Sequence, residues 1–272
     1  MKLIGKTVFL AVAMALSLWG GGIMLSYNFK PGQTWHCLQS NQSVSTYMGQ
    51  KNVNQGKTLI EYRVSKGPKS GWVTLTAKIK SHSNPNSSGS TMQFEKMTFT
   101  ADVHRSGEIR NIKTSGNPFP EMDEISPEMQ AMYQQSVAMV ADAWKHTVFW
   151  FPEVPEEKLE IGDEFEVERD MGMGSSASMM QTRSLSRQVY TLEDVSEGLA
   201  YFSVKERSVT KSETPMGGSS ETKIAGKGEV VFDLGLGMWL DLTEKSKARV
   251  DIGMGMGTQE MSLVHKFEME LQ

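Results

Sequence analysis

Methionine is the residue type that first suggests chemistry: the chain has 20 of them among 272 residues, including Met171-Gly-Met173 and Met254-Gly-Met256. Residues i and i+2 of a strand share a face, so each pair would present two thioethers together, soft donors suited to Cu(I). Pairing of the strand after Gly162 with the last strand would bring four sulfurs into one place. Two other readings compete. Flexible Met fills irregular space where alternating glycines let another surface approach, and Met with Gly on one face of a curved sheet makes an adaptable apolar pocket.

Other reactive groups are sparse. His36 and Cys37 are neighbours, but adjacent strand residues point to opposite faces, which favours one in and one out over a ligand pair. With one cysteine in the chain there is no disulfide framework and no Cys-only zinc site. Glu121, Asp123 and Glu124 lack the glycine-centred spacing of a hard-cation loop and read as a solvated approach to a helix. His265, alone on an apolar register, reads as a core or rim histidine. No G-x-S-x-G or H-E-x-x-H is present, and no nucleophile, base and orienting group can be named. A non-enzyme is expected, with no cofactor and no catalytic or metal-binding residues.

The elements that must position these groups are strands. Val73, Leu75, Ala77 and Ile79 alternate with Thr74, Thr76, Lys78 and Lys80, and Phe202, Val204 and Glu206 alternate with Tyr201, Ser203 and Lys205, the period-two pattern of half-buried antiparallel strands. Glycine and proline clusters divide them. An offset near 130 aligns Gly32-Gln-Thr-Trp35 with Gly162-Asp-Glu-Phe165, Gly71 with Gly198, the Pro85 loop with the Pro215 loop, and Gly107 with Gly237, which predicts a duplication. The expected architecture is mainly β (α+β): two similar antiparallel meander halves, residues 27–150 and 151–272, forming a curved half-barrel or sandwich. One amphipathic helix is predicted over 126–147, capped by Ser126 with Pro127 at its first position, its inward face running from Met129 and Met132 through Val140 to Trp144. Ala248 to Leu271 predicts a long final strand or strand pair.

Residues 1–26 address the compartment. Lys2 and Lys6 precede an uncharged run from Thr7 to Ser26, which is an export signal, either removed or kept as a single membrane anchor. Cys37 lacks the context of a lipid-attachment site. An exported body is expected, periplasmic or otherwise extracytoplasmic, with a possible tether to the inner membrane through residues 7–26. Without Lys2 and Lys6 it carries 26 basic and 32 acidic residues, an acidic balance that excludes general affinity for nucleic acid and predicts repulsion from anionic lipid.

The stretch Pro152-Glu-Val-Pro155 leading into Gly162-Asp163-Glu-Phe165 resembles that of uncharacterised exported bacterial proteins of duplicated β-rich construction. More distantly, a large antiparallel sheet with one covering helix is similar to the half-barrels of lipoprotein carriers and lipid-binding envelope lipoproteins. That resemblance implies an apolar ligand, a lipid or lipid-like group, in a cavity. The candidate lining is Met132 and Trp144 from the helix with Met171, Met173, Trp239, Met254 and Met256 from the sheet. The alternatives are an assembly protein that binds another envelope protein and has a packed interior, and a Cu(I) binder.

Overall fold

The structure, a computed structural model, describes residues 22–47, 50–83, 92–119, 126–173, 181–213, 219–251 and 258–272. Five strands form the first meander: β1 (Thr34–Tyr47), β2 (Gln50–Lys66), β3 (Trp72–Ser83), β4 (Thr98–His104) and β5 (Ile109–Ser115). The helix α1 (Pro127–Val148) follows, and then six strands: β6 (Glu164–Met173), β7 (Gln181–Ser196), β8 (Leu199–Glu213), β9 (Ser219–Asp233), β10 (Met238–Asp251) and β11 (Thr258–Leu271). All eleven lie in one antiparallel sheet, ordered β5-β4-β3-β2-β1-β11-β10-β9-β8-β7-β6.

The two meanders therefore join through the first and last strands, with Cys37 opposite Met269 and Ser43 opposite Leu263. They are unequal, five strands against six, because β11 has no counterpart in the first. Both use glycine in the left-handed region at corresponding points: Gly32 and Gly162 (φ 94° and 96°) before β1 and β6, Gly71 and Gly198 (78° and 81°) before β3 and β8, and Gly107 and Gly237 (93° and 61°) in the β4–β5 and β9–β10 turns. Those conformations cost little only for glycine.

The sheet is open, with β5 and β6 at its edges. It curls until Ile109 and Ile112 of β5 and Glu166 to Asp170 of β6 line one recess of about 420 Å³ with Phe149 and Phe151. The gap is filled by the chain that follows α1, in which Val148, Phe149, Phe151 and Val154 are all buried. The helix is capped as its sequence predicts, with the Met129 amide donating to Ser126 Oγ at 3.3 Å. Its last carbonyls, which have no partner within the helix, are taken by the sheet: Gln39 Nε2 donates to Thr147 O at 3.2 Å and the Tyr62 hydroxyl donates to Val148 O.

One end of the inner face is an aromatic core built on residues 22–29. The Trp239 indole donates to the Tyr27 hydroxyl at 2.7 Å, and that hydroxyl donates to Pro152 O at 2.8 Å. Phe151 and Phe232 pack edge-on against Tyr27, while Tyr190, Phe202 and Phe232 surround Trp239. A register shift between Trp239 and Asp241 lets both Met238 and Trp239 enter this core. The backbone of the same segment bonds to Leu159, Arg105 and Gly237.

Ile23 bridges Leu159 and Leu25 is buried, so the folded body includes the end of the uncharged run 7–26.

Tyr27→Phe leaves the Trp239 N–H and the Pro152 carbonyl buried and unpaired. It is expected to lower unfolding free energy by about 2–4 kcal/mol, read from urea denaturation followed by tryptophan fluorescence.

Candidate functional site

Away from the aromatic core the inner face changes character. Successive inward residues of β8 run Phe202, Val204, Glu206, Ser208, and those of β7 run Leu192, Tyr190, Gln188, Ser186, Ser184. This polar half is the floor of a cavity of about 710 Å³ covered by Ala143 and Thr147 of α1 and by Trp150. Its apolar wall is made by Ile224, Leu242, Met261 and Leu263. Trp150 is held against Phe267 at 5.0 Å between ring centroids, and the Arg169 guanidinium lies 5.8 Å from the Trp150 ring centre on the other side.

At the centre of the floor two carboxyl groups meet. Glu206 of β8 is opposite Gly226, and Glu244 of β10 is opposite Gly228, with β9 between them. Side chains two strands apart are usually separated by a third. Here glycine leaves that place empty, and a Cβ at position 226 would collide with the Glu244 carboxyl. Across this window Glu206 acts on Glu244, raising its affinity for a proton. Glu206 Oε1 also accepts from the Ser186 hydroxyl at 3.2 Å. Glu244 is 6% exposed, and its Oε1 has no hydrogen-bond partner among the described residues.

Burial, then the hydrogen bond and charge of Glu206, push the Glu244 carboxyl up to about 9. At neutral pH Glu244 therefore keeps its proton. His265 of β11, opposite Glu244, is held below its ordinary value by burial, with Glu206 opposing, so it faces the pair as a neutral imidazole. On the same strand pairing Cys37 points into the core, where burial pushes its thiol up to about 12. His36 points outward, 3.7 Å from Glu61.

The residues expected to line a cavity do not converge here. Trp239 is in the aromatic core. Trp144 packs on Phe94 and His82, at 4.8 and 5.3 Å. Met132 is 60% exposed, while Tyr133 beside it is the residue that turns inward, to Asn117 and Phe119. Met171 and Met173 fall on the edge strand β6, in register with Ser184 and Thr182 of β7. Met254 and Met256 lie outside the described residues, as do the Pro85 and Pro215 loops and Glu121 to Glu124. The pairing that would bring four sulfurs together does not form: β6 bonds only to β7, and four strands separate it from β11. The carboxyl pair went unseen in the sequence, although Glu206 stands in the alternating set with Phe202 and Val204. The signal was Gly226-Lys-Gly228 inside a strand, since interior glycines mark a close approach.

No family model matches the chain, and no curated protein matches it. Among solved structures it is similar to the attachment invasion locus protein Ail of Yersinia pestis (6% identity over 89% of this chain and 100% of that one, TM-score 0.22). It is also similar to a mutant porin of Rh. blastica (5%, 87% and 100%, 0.30) and to the translocator domain of the autotransporter NalP from Neisseria meningitidis (10%, 97% and 97%, 0.23). At such scores nothing of those proteins' fold, function or location passes to this one. The likeness to lipoprotein carriers finds no support among these matches.

The carboxyl pair makes stability depend on pH. Glu244 binds its proton more tightly folded than unfolded, so its stabilising linkage is complete below the ordinary carboxylate value of 4.5 and is lost as pH rises towards about 9. The slope is at most about 1.4 kcal/mol per pH unit. Glu244→Gln is expected to flatten that decline in urea denaturation across the same range.

Proposed function

We propose that the chain is an exported, non-catalytic binding protein of the cell envelope that holds a small amphiphile on its concave face. The ligand's apolar body lies against Leu242, Leu263, Met261 and Trp150, and its cationic amine head lies on Glu206 and Glu244. The observation that carries this reading is the unpartnered Oε1 of Glu244, buried in the floor of the cavity beside a second carboxyl. A buried acceptor without a donor costs about 1–3 kcal/mol, which a ligand N–H recovers. An ammonium group also takes the place of the proton on Glu244, so binding releases a proton and strengthens with pH up to about 9.

This keeps the ligand-binding reading of the sequence and changes its chemistry from wholly apolar to amphiphilic, because hydroxyl, amide and carboxyl groups line most of the floor. The cavity disfavours the alternative of an assembly protein with a solid interior.

Isothermal titration with dodecylamine and dodecanol tests the reading on protein recovered after export without detergent. Dodecylamine is expected to bind about tenfold or more tightly than dodecanol, to release a proton, and to lose that advantage in Glu244→Gln. Leu263→Trp, which fills the cavity, is expected to abolish binding of both. Equal affinity for the two probes sinks the amine head, and no binding of either sinks the cavity.

A further inference from the structure

The outer face of the second meander carries a group of cations that the cavity does not use. Lys205, Lys227 and Lys245 stand directly opposite one another on β8, β9 and β10, and all three are exposed. On the next row of the same face Arg207 and Lys247 flank Ala225. With strands about 4.8 Å apart and same-face rows about 6.8 Å apart, five cations fall within about 10 Å by 7 Å.

Like charges directly opposite in a sheet destabilise it, and elsewhere on this face carboxylates relieve such charge. Arg183 pairs with Asp170, Arg187 with Glu166, and Lys211 and Lys223 with Glu221. Among the described residues none of the five cations has an ion pair. Glu229, two residues from Lys227 on that face, makes none either. The chain as a whole is acidic, at −4, so the patch is a local arrangement and not a consequence of composition.

We propose that the row Lys205, Lys227 and Lys245, with Arg207 and Lys247, is a docking face for the anionic phospholipid headgroups of a membrane. The complementarity is electrostatic: clustered Lys and Arg near an anionic lipid surface each add to attachment, and the attraction fades within a Debye length. The flanking rows, Ser203, Glu229 and Thr243 on one side and Val209, Lys223 and Arg249 on the other, offer no ring on which a nucleic-acid base could stack. An exported body meets such an anionic surface at the membrane it crosses. This face runs against the expectation, drawn from net charge alone, of a body repelled by anionic lipid. The proposal rests on the export part of the function above and is independent of the cavity.

The test is co-sedimentation of the exported protein with phosphatidylcholine vesicles made with and without phosphatidylglycerol. Three proteins are compared: wild type, the triple variant Lys205→Glu, Lys227→Glu, Lys245→Glu, and the charge-matched control Lys30→Glu, Lys51→Glu, Lys66→Glu. Wild type is expected to bind only the anionic vesicles and to be released by salt. The row variant should bind on the order of tenfold more weakly, while the control keeps most of the affinity. A Lys→Gln triple at the same row serves if the Glu variant does not fold. Equal binding to both vesicle types, equal loss in both Glu triples, or binding to heparin or RNA but not to vesicles overturns the proposal. Secretion of a reporter fused to residues 1–30 reads export separately, so failure of export is distinguished from failure of the docking face.

Discussion

One hydroxyl holds three distant parts of the chain at a single point. Tyr27 accepts from Trp239 and donates to Pro152, so the entering segment, the β9–β10 hairpin and the segment after the helix meet where none could satisfy its polar groups alone. Without the Tyr27 oxygen the Trp239 N–H has no route to water. Without the rings around it, that oxygen would be solvated and the contact worth little. The open sheet depends on this knot because its edges, β5 and β6, are not joined by hydrogen bonds. What keeps the curl is the filling between them, Phe149, Phe151 and Val154, and the knot fixes that filling to both halves.

The division of the inner face into a dry end and a polar end follows from the same construction. Strand alternation sends every second residue of β7, β8 and β10 inward along their whole length, but the aromatic filling occupies only one end. Beyond it the inward positions become Gln188, Glu206, Glu244 and a run of hydroxyls, which a packed core would not tolerate. The carboxyl pair exists because β9 offers Gly226 and Gly228 at the place where a side chain would hold the two apart. Glu244 keeps its proton because burial and the neighbouring Glu206 disfavour its charged form.

Much of this architecture was legible in the residues themselves. The alternation of Val73 to Ile79 and of Phe202 to Glu206 fixed strand faces, the glycines at 32, 71, 107, 162, 198 and 237 marked turns that require a left-handed residue, and Ser126-Pro127 marked the start of the helix to the residue. What could not be read was long-range pairing. That β1 closes on β11 and leaves β6 at an edge is a property of topology, and the proposed convergence of methionine pairs failed on that point alone. The site was missed for a related reason: Glu206 and Glu244 are 38 positions apart in sequence and become neighbours only through two hairpins. Composition directed attention to methionine, whereas the informative residues were two glycines that contribute no side chain.

The joining of β1 to β11 imposes an order on biosynthesis. The first strand finds its second partner only when the last residues of the chain have been delivered, and Tyr27 waits for a partner 212 positions later. Contacts of such separation are closed slowly, because the entropy of a large loop is lost before any contact is gained. Until β11 arrives, β1 to β5 can assemble as a meander but must expose one free edge of β1, a template for wrong pairing. A chain built this way places a premium on escort by a holding chaperone until its carboxyl end arrives.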